Sequence, residues 1–561
     1  MRQKQSKQAH GDKQTRGRGE TFALRVSKSL VLRFAIALFS GILMGLTVAP
    51  VNAWFLAWFA LAPLWVLVIK NEKLKIKNGW QNPLPLIFNS QFLIGLAWGI
   101  GYHGLALFWI TGIHPMTWMG VPWLASLAIA AFCWVFITLW GAASVAVWAT
   151  GMRIICDSIP QPYTHVLIGT ALWCGIETIL SWGALFWTSI SYTQSPYNLV
   201  ILHLGQLSGP YAVTAAIVAV NGLIAEAFIN RNIRESGWRF VNRYLITATS
   251  LLITLHLIGF LLYTRPLVQP SAAALKVGII QGNIPNQIKL YPEGLRRALQ
   301  GYTTGYLSLV DQKVDAVLTP EGALPFFEQN IMDSSLVAEV RSQKVVTWIG
   351  GFGHKGKSYT NSLLTVTGDG KIFSRYDKVK LVPIGEYVPF EEILGGIISR
   401  LSPLDEHQVP GLPNQIFNTP FGRAIAGICY ESAFPEVFRY QAQAGGQFIL
   451  SSSNDAHYSA SMPAQHHAQD IMRAIETDRW AVRATNTGYS AFVDPHGRTK
   501  WISGHNNYET HAETIYRRQT QTLYVRWGDW LTPLLLVSAG GIWLINFLTV
   551  QLSRKQELNQ Q

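Results

Sequence analysis

Eight long apolar stretches organise the chain, at about residues 31–49, 51–69, 86–111, 121–150, 165–182, 210–229, 244–263 and 531–550. Each is near or above the roughly 18–20 residues that cross a hydrocarbon core, so the pattern predicts a polytopic α-helical membrane bundle of about eight spans. Residues 265–528, between the seventh and eighth stretches, change character. Short β-branched runs at 275–280, 316–319, 345–350, 424–429 and 447–452 read as buried strands, and helical patterns lie between them at 293–313 and 465–483. Strands alternating with helices predict a layered α/β domain. The expected division is a basic tail (1–30), helices one to seven (31–264), the α/β domain (265–528), an eighth helix (529–552) and a short tail (553–561).

Composition agrees with that division. Of the 561 residues 49% are hydrophobic and 14% charged, against about 25% charged in soluble proteins. This disfavours a purely cytosolic enzyme and excludes a disordered or collagen-like chain. The formal charge of +13 sits with the hydrophobic half: residues 1–264 hold 18 Lys and Arg against 7 Asp and Glu, and residues 265–528 hold 25 against 23. Such an excess is a topology signal, not a nucleic-acid footprint. Lys70, Lys73, Lys75 and Lys77 lie between spans two and three, and Arg231, Arg234, Arg239 and Arg243 between six and seven. The connections near 50, 112–120 and 183–209 have no charged residue. By the positive-inside rule both termini are cytoplasmic and residues 265–528 extracytoplasmic.

The candidate chemistry falls in that soluble segment. Cys133, Cys156 and Cys174 belong to the helical part and read as apolar filler, whereas Cys429 is alone in residues 265–528. It ends the apolar run Ala424-Ile425-Ala426-Gly427-Ile428 and precedes Tyr430-Glu431, a strand end that opens toward a cleft. A nucleophilic thiol needs a base and a cation. Glu321 closes another strand in Thr319-Pro320-Glu321, and Lys378 stands in Tyr376-Asp377-Lys378. No spacing rule joins three residues so far apart, and the residues alone make such a triad possible and no more. Glu177, inside a membrane stretch, is a functional candidate by its charge; His103 and His203 read as hydrogen-bonded bundle or interface residues.

In their local contexts, Glu321, Lys378 and Cys429 resemble the Glu-Lys-Cys triad of the nitrilase (carbon–nitrogen hydrolase) superfamily. The supporting segments are Gln281-Gly282-Asn283-Ile284-Pro285, Leu381-Val382-Pro383, Gly385-Glu386-Tyr387-Val388-Pro389, Ser453-Asn454-Asp455, Arg473-Ala474-Ile475-Glu476 and Arg483-Ala484-Thr485-Asn486-Thr487-Gly488. With apolar helices before and after, the chain looks like one branch of it, the apolipoprotein N-acyltransferases. The resemblance implies an extracytoplasmic α-β-β-α sandwich in a multi-pass protein of the bacterial cytoplasmic membrane. It also implies an acyl chain taken from a phospholipid donor as a Cys429 thioester and passed to the α-amine of an S-diacylglyceryl apolipoprotein. Glu321 would be the base, Lys378 the cation, and Glu386, Tyr430 and Glu431 supporting residues. No cofactor or metal is implied, and a monomer is expected. Where the family often has Trp, this chain has Leu290 (beside Tyr291) and Thr319, and His457-Tyr458 replaces a usual Trp-Phe; all three touch apolar lining.

Other expectations concern the rim and two decoys. Residues 324–327 and 393–401 are candidates for dipping into the membrane interface or for packing the domain on the bundle. Trp54, Trp58, Trp118, Trp123, Trp182 and Trp187 fit an aromatic belt. Gly351-Phe352-Gly353-His354-Lys355-Gly356 matches a dinucleotide fingerprint by letter, yet it runs into a strand pattern and reads as a hairpin. His457, His466 and His467 lack a recognisable ligand set for a metal. Two alternatives stand beside acyl transfer. A membrane-tethered nitrilase-like amidase would use water as acceptor, and eight spans are excessive for a tether. A transporter or sensor would call for more ionisable groups in the spans than Glu177 and Glu226.

Overall fold

The computed structural model describes residues 30–69, 90–156, 159, 161–231, 237–383, 385–387 and 408–560. The basic tail, the lysines at 70–77, Arg234, Val388-Pro389 and the 393–401 loop lie outside the described residues, as do the side chains of 237–241. Every apolar stretch contains helix: α1 (Leu30–Gly45), α2 (Ala62–Ile69), α3 (Ser90–Ala106), α4 (Trp123–Cys156), α5 (Pro162–Trp182), α6 (Pro210–Asn230), α7 (Gly237–Tyr263) and, at the far end, α12 (Leu531–Gln560). Five of them, α4 to α7 and α12, are long and apolar enough to cross a membrane; α1, α2 and α3 are shorter among the described residues. The second stretch is broken, with a 3-10 turn at Trp54–Trp58 ahead of α2.

Small residues let the helices approach closely, as expected where lipid supplies no hydrophobic drive between them. Gly169 of α5 and Gly222 of α6 sit against the ring of buried Trp65; a Cβ on Gly169 would come within 2.2 Å of it. Glu177 is bound up in this packing. Its carboxylate accepts from Trp173 Nε1 (3.1 Å), the Ile190 amide (2.9 Å), Ser189 Oγ (2.8 Å) and Thr214 Oγ1 (2.9 Å). The group that sequence marks as functional fastens the 189–190 turn to the bundle.

The soluble segment is built from two six-stranded sheets. The first runs in the order β12-β1-β2-β3-β4-β5, with β1 (Ala274–Gln281), β2 (Ala316–Leu318) and β3 (Val346–Lys355) parallel at its centre; β4 is Ser358–Val366, β5 Ile372–Asp377 and β12 Glu509–Tyr516. The second runs β11-β10-β9-β8-β7-β6, with β7 (Gly422–Ile428), β8 (Ile449–Ser453) and β9 (Ala481–Thr485) parallel; β6 is Phe417–Thr419, β10 Ala491–Val493 and β11 Thr499–Ile502. Val277, Ile279, Leu318 and Trp348 of one sheet share a core with Ala426, Ile428, Leu450 and Val482 of the other. Helices α8 (Pro292–Asp311) and α9 (Ser335–Gln343) cover the first sheet through Tyr302, Tyr306 and Val337. Helices α10 (Pro435–Gln443) and α11 (Ser461–Thr477) belong to a core that is continuous with the bundle, through Phe438, Ile471, Met472 and Ile475. The outer helical layer of the second sheet is thus also the seat of the domain on the membrane half.

Local chemistry sets several boundaries. The helical pattern over 465–483 stops at Thr477 because Asp478 turns left-handed (φ 55°) and caps the helix, after which Arg483 lies on β9. The glycine-rich 351–356 segment is the end of β3 and its turn into antiparallel β4, not a strand-to-helix turn. Residues 324–327 pack on their own domain: Leu324 is buried and Phe327 stacks on His354 at 4.1 Å.

Candidate active site

The carboxyl ends of β2, β5 and β7 converge where the two sheets meet. Glu321 follows β2, Lys378 follows β5 and Cys429 follows β7, and all three are buried. Lys378 Nζ donates to Glu321 Oε1 at 2.9 Å and to Glu386 Oε1 at 2.6 Å. The Glu321 carboxylate also accepts from Asn361 Nδ2 at 2.6 Å, from the Asn454 amide at 2.9 Å and from the Cys429 thiol. Glu386 is itself held by the Val382 amide on its Oε2 (2.8 Å).

This arrangement sets the charges. Burial alone would raise the Glu321 carboxyl, but the ammonium of Lys378 overrides it and holds the group below its ordinary range. Burial would lower Lys378, yet Glu321 and Glu386 push it well above its ordinary value. Burial, followed by the charge of Glu321, drives the Cys429 thiol far up, against the opposing pull of Lys378. The resting site is therefore carboxylate, ammonium and neutral thiol.

Cys429 adopts a left-handed backbone (φ 51°), an unfavourable conformation for a residue with a Cβ. Two props hold it. His466 Nε2 of α11 donates to the Cys429 carbonyl at 2.8 Å, while its Nδ1 lies 3.2 Å from Asp455 Oδ1. Asp455 and Asp470 are bridged in turn by the buried guanidinium of Arg483, at 3.1 and 2.6 Å. The second prop is Glu431, which accepts from the Ile428 amide (2.7 Å), the Val379 amide (2.6 Å), the Lys380 amide (3.2 Å) and the Tyr376 hydroxyl (3.1 Å). One carboxylate thus pins the end of β7 to the end of β5. Burial raises it to about 7 despite those amides.

The membrane half closes the other side. Tyr430 donates its hydroxyl to the Ala184 carbonyl at 2.6 Å, and its ring stacks on Trp187 with an interplanar angle of 9°. Trp109 meets Tyr458 edge to face, and Trp118 stacks on His457. Trp187, expected in an aromatic belt, is instead a buried wall of the site, and Trp58 is buried in the bundle; Trp123 and Trp182 are largely exposed. Gln465, next to His466, ties these loops to the domain. Its Oε1 accepts from Trp109 Nε1 (3.1 Å) and Trp187 Nε1 (2.8 Å), and its Nε2 donates to the carbonyls of Ala49 (3.1 Å) and Ala106 (2.9 Å).

All six residues singled out in the sequence therefore meet at one point. The three histidines do not: His467 pairs with Thr499, His457 stacks on Trp118 at the wall, and only His466 holds the nucleophile turn. Cys429, Asp455 and His466 lie within 4.8 Å of one another at their ligand atoms, but the imidazole and carboxylate are committed to the nucleophile turn and to Arg483. Asn361, His466 and Gln465 are site residues that sequence reasoning missed or misassigned, as is Lys289, whose Nζ donates to the Glu321 carbonyl at 3.2 Å.

Residues 276–522 match the family model of carbon–nitrogen hydrolases, and residues 40–223 match that of the apolipoprotein N-acyltransferase N-terminal domain. An apolipoprotein N-acyltransferase of Nostoc sp. is 66% identical over 503 residues, covering 90% of this chain and 97% of that one. One of Synechocystis sp. is 48% identical over 516 residues, covering 89% and 98%. One of Pseudomonas aeruginosa is 32% identical over 482 residues, covering 82% and 86%. A nitrilase-like domain seated on apolar helices, with identity at this level along nearly the whole length, places the chain in the apolipoprotein N-acyltransferase family.

Proposed function

We propose that the chain acylates the α-amine of the N-terminal S-diacylglyceryl cysteine of apolipoproteins, taking the acyl group from a membrane phospholipid through a thioester at Cys429. The observation that carries the mechanism is the buried Glu321–Lys378–Cys429 contact. Because the resting thiol is neutral, Glu321 takes its proton as sulfur attacks the ester carbonyl. The oxyanion that forms is opposed by the Lys378 ammonium and nearby backbone N–H groups. As the acyl C–O bond breaks, the proton on Glu321 passes to the departing lysophospholipid oxygen. The acceptor amine then attacks the thioester, its proton returns by way of Glu321, and sulfur leaves as the thiol.

The domain division follows: a bundle over 31–264, a catalytic domain over 265–528 and a closing helix over 529–552. The charge bias of the connections supports a catalytic domain on the extracytoplasmic face of the bacterial inner membrane. Keeping both lipids in the bilayer avoids a cost of about 0.8 kcal/mol for each CH₂ drawn into water. The aromatic enclosure of Tyr430 by the 183–189 loop favours a lipid-borne acceptor over water, against the amidase alternative. Incubating the detergent-solubilised protein with a defined phospholipid tests the reading by intact mass. An acyl adduct on wild type, absent in Cys429→Ser and discharged by a diacylated lipopeptide, is expected; discharge by water alone would favour the amidase.

A further inference from the structure

A second cation reaches the Glu321–Cys429 pair. The short turn of helix at Asn286–Lys289 follows β1 and is docked on the site from below its first residue. Ile284 is gripped by Asn486, which accepts its amide (2.9 Å) and donates to its carbonyl (2.7 Å), and Asn286 Oδ1 accepts from Asn454 Nδ2 at 3.3 Å. Asn454 is the residue whose amide holds Glu321. Lys289 is positioned by this frame. Its Nζ donates to the Glu321 carbonyl at 3.2 Å and lies 3.4 Å from where a Cβ on Gly322 would stand. Among the described residues no carboxylate oxygen lies within 4 Å of that Nζ, and an ammonium has three N–H donors. Two remain for a ligand.

Lys289 is coupled by charge to Glu321, to Cys429 and to His457, whose ring stacks on Trp118 of the membrane half. Burial lowers the ammonium to about 8, against the opposing pull of Glu321. Lys380, the other lysine close by, is already committed. Its Nζ donates to the Trp182 carbonyl at the end of α5 (3.3 Å) and lies over the Phe434 ring at 4.6 Å.

We propose that Lys289 is a specificity residue that binds the phosphate of the acyl donor. The inference rests on the phospholipid-donor reading given above. In a two-step transfer one cysteine must accept an acyl chain from one glycerolipid and deliver it to another. Both substrates bring ester-linked chains; the donor also brings a phosphate anion, and the acceptor brings an amine. A cation beside the sulfur attracts the first group by a charge-assisted hydrogen bond. It also disfavours the ammonium form of the second, which leaves the nucleophilic free amine in place once the lysophospholipid has gone. One fixed charge thus assists both half-reactions without a moving part.

The test compares two donors with the same chains, dioleoylphosphatidylglycerol and dioleoylglycerol, by the rate at which each acylates Cys429 in the full-length protein in detergent. Wild type is expected to favour the phospholipid. Lys289→Met should cut that preference by about ten- to hundredfold, the range of a lost hydrogen bond to a charge, and Lys289→Arg should restore most of it. If Lys289→Met unfolds, as its melting temperature would reveal, the nearly isosteric Lys289→Gln carries the comparison. Equal loss with both donors would place Lys289 in the general electrostatics of the site and overturn the inference. So would a preference that survives in the variants. A wild type that takes no acyl chain from phosphatidylglycerol overturns the donor reading and this inference with it; a wild type that prefers it beside an equally selective variant overturns this inference alone.

Discussion

Gln465 Oε1 accepts the indole N–H of Trp187 at 2.8 Å, and this one bond joins two chains of support that end on the nucleophile. On one side Gln465 precedes His466, which holds the Cys429 carbonyl. On the other, Trp187 stacks on Tyr430, the residue after Cys429. The membrane half and the sandwich therefore set the nucleophile turn together, and neither would be expected to hold it alone.

Replacing Gln465 by Leu strips partners from two indoles and two carbonyls at once. Leaving buried polar groups unpaired costs about 1–3 kcal/mol for each that finds no water, so the melting temperature should fall by several degrees. Thioester formation should fall on the order of tenfold to hundredfold through misplacement of the turn. Melting curves and the rate of acyl adduct formation, measured on one preparation, check both.

The pH response of Cys429 offers a sharper case. Burial raises the thiol first and the Glu321 charge raises it further, while Lys378 opposes both. Glu321→Gln removes an anion and leaves the cation, so the thiol should ionise at lower pH than in wild type. The midpoint of iodoacetamide alkylation against pH should move down, although acyl transfer falls by about 10²–10⁴ for want of the base. A more reactive thiol in a dead enzyme is the expected pair of results.

Lys378→Met leaves Glu321 and Glu386 facing each other with their cation gone. Breaking a buried pair costs about 3–5 kcal/mol, and the sign of its pH dependence follows from the shifts. In wild type Glu321 is held below its ordinary 4.5, so it adds stability above that pH and loses it as pH falls through the folded value. Without Lys378 burial dominates and raises the carboxyl, which penalises the folded state increasingly as pH rises above 4.5. The gap in melting temperature between wild type and variant should widen from pH 5 to pH 8.

The parts of this site that were legible in the sequence are those whose neighbours along the chain are distinctive. Glu321, Lys378 and Cys429 each end a strand, and Glu386, Tyr430 and Glu431 lie in the same loops, so local pattern marks them. Gln465 and Lys289 carry no such mark. Gln465 reads as an ordinary polar residue of a helix, and its partners come from residues 49, 106, 109 and 187 in the other half of the molecule. Trp187 has the composition and place of a belt tryptophan, and only tertiary packing turns it onto Tyr430. The 465–483 pattern likewise conceals the left-handed Asp478 that ends α11. Strand and helix types follow from periodicity, but contacts between the halves do not.

Glu431 separates a positioning role from a catalytic one. Its two oxygens face only donors: the amides of Ile428, Val379 and Lys380 and the hydroxyl of Tyr376. Glutamine has the same shape but keeps a single acceptor oxygen, and its NH₂ would meet N–H groups head on. Glu431→Gln should therefore disrupt the join between β7 and β5 nearly as much as Glu431→Ala, and thioester formation should drop in both. The charges that chiefly move the Cys429 thiol are those of Glu321 and Lys378. The alkylation midpoint should accordingly stay at its wild-type pH in Glu431→Gln, in contrast to the downward move in Glu321→Gln. If it moved as far as in Glu321→Gln, Glu431 would be acting on the thiol directly, and its assignment as a clamp on the two strand ends would have to be abandoned.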